Sequence, residues 1–245
     1  MSLLFPMVVI LAASFINTLT GFGFALVSVP TLVMMMDAKA AVVLITVLYA
    51  ALGPIFLWSA RRDVDRPMLA TLLISSLAGL PLGALVLVVI SESLLRLLIG
   101  ATIVLVAFLL MSNYQRPFSH GRRAAIAVGF VTGVLTTSIT VSGPLAVLFL
   151  ANQGASKESL RATIGVFLLG MMPPSFALFA LSGLVTVPLL ITALQLLPAL
   201  ALGYLLALRV LPSVNPTAFR RVTIVLVLGS GLSLLASEAG RLLGA

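Results

Sequence analysis

Apolar runs near the length of a membrane crossing alternate along the whole chain with short polar or charged borders. Eight such blocks can be marked, at about residues 3–36, 40–60, 68–90, 94–111, 124–151, 162–181, 185–208 and 222–236. Their borders read "DAK", "RRDVDRP", "SES", "SNYQRPFSHGRR", "NQGASKESLR" and "RVLPSVNPTAFRR". A run of about 20 apolar residues predicts a helix that crosses a bilayer. The pattern therefore predicts an all-α polytopic membrane protein.

Two blocks depart from the pattern. The first and fifth are longer than the rest and are broken by Gly, Ser, Thr and Pro, in "GFGFALVSVPTL" and "TTSITVSGPLAV". The stretch from Thr136 to Ser142 holds five hydroxyl side chains in seven residues, inside an otherwise apolar run. The halves also match elsewhere. "GLPLGALVLV" in the third block and "LPALALGYLLAL" in the seventh share a Pro-then-Gly order, and Pro30 aligns with Pro144. The chain reads as one membrane domain of two repeats, residues 1–113 and 122–245, the internal symmetry that transporters show.

Composition supports the bilayer reading. Of 245 residues 61% are hydrophobic and 8% charged, against about 25% charged in soluble domains. The mean hydropathy is +1.28. The net charge of +8 does not point to nucleic acid, because the arginines sit in short loops between apolar runs, as orientation in a membrane requires. There is no cysteine and one histidine, His120, so neither a disulfide nor a metal centre is expected. No cofactor is expected either. The N-terminus lacks the positive region of a cleavable signal and reads as the first membrane segment.

The arginines choose between two topologies. If every block crosses once, the basic residues divide seven against seven. If the fifth block enters and leaves on the same side, eleven fall on one side, and only Lys39, Arg96 and Arg241 remain on the other. That is a strong positive-inside bias. The fifth block has 28 residues, too few for two crossings at about 20 each. Two half-helices of about 12 residues rise roughly 18 Å each, to just past the midplane of a core about 30 Å thick. The repeat predicts the same for the first block, although one tilted, broken helix fits its 34 residues as well. Each half then holds a broken or re-entrant segment plus three crossings, and the second half is inverted relative to the first.

Irregular backbone at membrane depth survives only where protein or water satisfies its polar groups. The two tips are therefore expected to face a cavity or one another. Ser142-Gly143-Pro144 reads as a helix start, and Ser28-Val29-Pro30 as a looser one. Helix starts meeting at the midplane would hold an anion without lysine or arginine. The candidate substrate-binding residues are Asn17, Thr18, Thr20, Gly21, Gly23, Thr136, Thr137, Ser138, Thr140, Ser142, Gly143 and Gln195. Arg161, at the start of the sixth block, is a candidate for gating or attracting anions, with interfacial snorkelling as the plain alternative. Small polar residues also mediate helix packing, which is the alternative for each hydroxyl taken singly. Ser142→Ala and Thr137→Val are expected to weaken anion binding. Trp58, Tyr49 and Tyr204 read as interfacial or packing residues.

All six acidic residues, Asp37, Asp63, Asp65, Glu92, Glu158 and Glu238, fall in loops or near block ends. A mid-membrane proton relay of the buried-carboxylate kind is disfavoured, while the coupling ion stays open. No nucleophile–base pair, acidic metal cluster or HExxH motif supports an enzyme.

"TGFGFALVSVPTL" and "GFVTGVLTTSITVSGPLAVLFLANQGASKESLRATIG" resemble the paired glycine-rich motifs of the TauE/SafE (sulfite exporter) family, and the likeness runs over nearly the whole chain. Many members carry a run of glycines where this chain reads "TTSIT". The resemblance implies an exporter of a small sulfur-containing anion, sulfite or an organosulfonate, in the cytoplasmic (inner) membrane. The expected partners are that anion and the lipid bilayer. The alternatives are a channel-like anion facilitator and a non-transporting membrane assembly factor.

Overall fold

The computed structural model describes residues 3–21, 23–51, 53, 64–111, 121–154, 157–210 and 216–242. The end of the second block and the loop carrying His120 lie outside these residues. Among the described residues there are ten α-helices and no strands. They are α1 (Leu4–Thr20), α2 (Phe24–Val33), α3 (Ala38–Ala51), α4 (Arg66–Val89), α5 (Glu92–Met111), α6 (Gly121–Ser138), α7 (Gly143–Asn152), α8 (Lys157–Leu181), α9 (Val187–Val210) and α10 (Pro216–Leu242). Segments of α4, α5, α8, α9 and α10 are each long and apolar enough to cross a membrane. Four shorter apolar helices, α1, α2, α3 and α7, are not. The chain is an all-α, polytopic membrane protein.

The first and fifth blocks each split in two. α1 stops because Gly21 takes a left-handed φ of 81° and returns its N–H to the Asn17 carbonyl at 2.7 Å. Gly23, at φ 119°, then redirects the chain into α2. The second break uses Thr140, at φ 61°, the sole non-glycine among the described residues with positive φ. A β-branched residue there is strained, at about 1–3 kcal/mol. α7 starts at Gly143 with Pro144 in its first turn.

These starts differ in detail from the sequence expectation. Ser142 occupies the cap position of α7, but its side chain makes no capping hydrogen bond. Ser28 does not start a helix. It lies inside α2 and its hydroxyl donates to the Phe24 carbonyl at 2.6 Å. Pro30 is the seventh residue of α2 and Pro144 the second of α7, so the two prolines are not equivalent by position. Left-handed Gly21 ends α1 and left-handed Gly23 begins α2, and no proline is needed there.

The two ends of the bundle can be told apart by contacts. At one end Glu92 accepts from the Ala38 N–H at 2.8 Å, Lys39 donates to the Val88 carbonyl at 2.7 Å, and Ser93 donates to Glu238 at 2.5 Å. At the other end the Asp65 N–H donates to Thr163 Oγ1 at 3.1 Å. A Cβ placed on Gly121 would lie 3.4 Å from Gln153 Oε1. Gly121 opens α6 and Gln153 closes α7, so this helix pair returns to the end where it began.

Packing partners recur in matching sets. α4 packs on α6 and α9 on α1; α4 also packs on α8, and α9 on α3. α2 packs on α3 and α7 on α8. The detail matches too. Thr137 on α6 donates to the Leu80 carbonyl at 2.7 Å, and Ser14 on α1 donates to the Leu200 carbonyl at 2.7 Å. Gly83 on α4 lies against the Val134 carbonyl, as Gly203 on α9 lies against that of Leu11.

Candidate functional site

The two breaks border one cavity. It is lined by Asn17 from α1, by Gly23, Phe24, Ala25 and Leu26 at the start of α2, and by Thr140, Val141, Ser142, Gly143 and Pro144 at the start of α7. Tyr49 from α3 and Leu168 and Met172 from α8 complete the wall. The space open to the centre of a water-sized sphere is about 30 Å³, enough for about two waters.

Polarity in this cavity comes from helix starts, one amide and the hydroxyls of Tyr49, Thr140 and Ser142. The first-turn N–H groups of a helix lack intrahelical partners and carry partial positive charge. Both α2 and α7 present that turn here. Asn17 is fully buried; its Oδ1 accepts from the Phe24 N–H at 3.4 Å, while Nδ2 has no hydrogen-bond partner. The Tyr49 hydroxyl stands beside the same amide without satisfying Nδ2. The Tyr49 ring packs on Phe24, with centroids 5.7 Å apart and planes tilted by 52°. An unsatisfied buried donor costs about 1–3 kcal/mol and is relieved by an acceptor in the cavity. Among the described residues no charged side chain lines the site.

Five of the residues expected from sequence meet here: Asn17, Gly23, Thr140, Ser142 and Gly143. The others do other work. Thr18 and Thr20 donate back to the Ser14 and Ile16 carbonyls, at 2.8 and 2.9 Å, and Gly21 ends α1. Thr136 donates to the Thr132 carbonyl at 2.7 Å and reaches Met171 Sδ at 3.6 Å; Ser138 donates to the Val134 carbonyl at 2.7 Å. Thr137 faces α4. Gln195 is exposed on the outer face of α9 and does not reach the cavity. The Arg161 side chain lies outside the described residues; its backbone is in the second turn of α8.

The sequence reading passed over Tyr49, Phe24, Leu168 and Met172. Only Tyr49 carried a signal: a lone phenol in an apolar helix usually needs a polar neighbour when buried.

The model of one protein family, described as sulfite exporter TauE/SafE, matches residues 7–234. The chain belongs to the TauE/SafE family. No curated protein and no solved structure matches it. Membership fits an integral membrane transporter of the sulfite exporter type. The matched region of this TauE/SafE chain takes in both breaks and every residue that lines the cavity.

Proposed function

We propose that the protein carries a small sulfur-containing anion, sulfite or an organosulfonate, across the cytoplasmic membrane, and that the cavity between the α2 and α7 starts is its binding site. The observation that carries this reading is the Asn17 Nδ2 donor, fully buried, unpartnered and bordering the same space as both helix starts. An anion there gains the amide donor, the first-turn N–H groups and the fields of two helices at once. Phe24, Leu26, Leu168 and Met172 give the cavity apolar walls, and a low-dielectric surround strengthens each of these interactions.

The matched packing of α1 with α9 and of α6 with α4 supports two repeats, residues 1–113 and 122–245, related by a pseudo-twofold axis through the cavity. Rocking of one repeat against the other would open the cavity first to one side and then to the other. The arginine-rich end, with Arg66, Arg122 and Arg123, faces the cytoplasm by the positive-inside rule. Export follows from the family description.

The test is substrate counterflow in proteoliposomes, with radiolabelled sulfite or a simple sulfonate outside and excess unlabelled anion inside. A carrier gives a transient overshoot of label. Asn17→Ala should weaken the apparent affinity about tenfold or more, as expected for a hydrogen bond to a charged group. A passive leak with no overshoot, or full affinity in Asn17→Ala, would refute the site.

A further inference from the structure

We propose, building on the cavity reading above, that the site selects by net charge and takes a singly charged sulfur oxoanion, excluding dianions. Each helix start is equivalent to roughly half a positive charge. Two of them, at α2 and α7, supply roughly one unit between them. That balances a monoanion and leaves half of a dianion uncompensated. Among the described residues no lysine, arginine or histidine lines the cavity to make up the difference.

Desolvation sharpens the choice. The cost of moving an ion from water into a low-dielectric interior grows with the square of its charge, so a dianion costs about four times as much as a monoanion of the same size. Phe24, Leu168 and Met172 make part of the cavity wall apolar. The unpartnered Asn17 amide nitrogen and the Ser142 and Tyr49 hydroxyls add neutral donors, which supply no further net charge. The same apolar wall accommodates a methyl or methylene group on a sulfonate, which sulfate lacks.

The consequence for sulfite is chemical. One proton taken from solvent converts the dianion into the monoanion bisulfite, and this is the form the cavity holds. Each bisulfite carried across takes its proton with it. Sulfite flux then moves one proton per sulfur with no carboxylate relay, in keeping with a cavity that no aspartate or glutamate lines among the described residues.

The experiment uses the purified full chain in detergent at constant ionic strength. Affinities are read from ligand-induced thermal shifts with methanesulfonate, sulfate and sulfite between about pH 6 and pH 9. Methanesulfonate should bind at least about tenfold more tightly than sulfate, with an affinity that does not change with pH. Sulfite affinity should fall about tenfold for each pH unit above its second ionisation, following the fraction present as bisulfite. Sulfate binding as tightly as methanesulfonate, or sulfite affinity flat across that range, would overturn the charge selection while leaving an anion site. Failure of all three anions to bind would overturn the cavity reading itself, and this proposal with it.

Discussion

The Thr137 hydroxyl donates to the Leu80 carbonyl at 2.7 Å, and so ties α6 to α4. It also reaches back to the Gly133 carbonyl at 3.3 Å, and its side chain is fully buried. Thr137→Val keeps the shape and removes the donor. It should cost about 1 kcal/mol of stability and change anion affinity by less than about twofold. Thermal melts with and without methanesulfonate separate the two effects.

Close approach along the same pair depends on glycine. A Cβ on Gly133 would run into the Ser76 carbonyl, and one on Gly83 into the Val134 carbonyl and the Thr137 hydroxyl. The obstacles are largely backbone and cannot rotate away. Gly133→Ala and Gly83→Ala should each cost about 2 kcal/mol or more, because the helices must separate. Gly229, with nothing within 4 Å of its Cβ position, should tolerate alanine, as melting temperatures of the three variants will show.

Arg96 anchors the far end of α2. It is 8% exposed, pairs with Glu92 at 2.7 Å, and donates to the Val33 and Met36 carbonyls where α2 ends. Arg96→Met strips the donor from both carbonyls and leaves Glu92 without its ion-pair partner. Glu92 is partly solvated, which moderates the loss to about 2–3 kcal/mol. Adding Glu92→Gln should recover part of it, measurable as a double-mutant cycle in melting temperature.

The neighbourhood of Gly121 and Gln153 fixes sidedness. The chain has no cysteine, so single substitutions give clean labels. Cysteines at Arg123 and Gln153 should react with an impermeant maleimide from the same face of the membrane, and cysteine at Lys39 from the opposite face. Labelling of positions 123 and 153 from opposite faces would remove the hairpin.

What the sequence revealed, and what it hid, follows from the solvent. Lipid is as apolar as the bundle interior, so breaks and charges stand out while helical phase does not. The Gly21–Gly23 and Thr140–Gly143 breaks were visible because polar, irregular backbone is costly at that depth. The return of the fifth block was visible in the placement of arginines. Facing was not: Gln195 has an outer position on α9, and Thr137 points at α4 although it lies within one turn of the break. Tyr49 and Met172 sit at the cavity among apolar neighbours that resemble lipid-facing residues in composition. The start of α2 was misjudged because Pro30 looked like a first-turn proline. A proline well inside a helix is tolerated in membranes, where neighbouring helices satisfy the freed carbonyl.

The most direct test is to locate a heavy-atom monoanion in the protein. Bromomethanesulfonate carries one charge and a strong anomalous scatterer. A crystal soaked with it should show one dominant anomalous peak in the cavity, beside Asn17 and between the first turns of α2 and α7. A dominant peak elsewhere, at the arginine-rich end or on the outer face of α9, with the cavity left empty, would contradict the account.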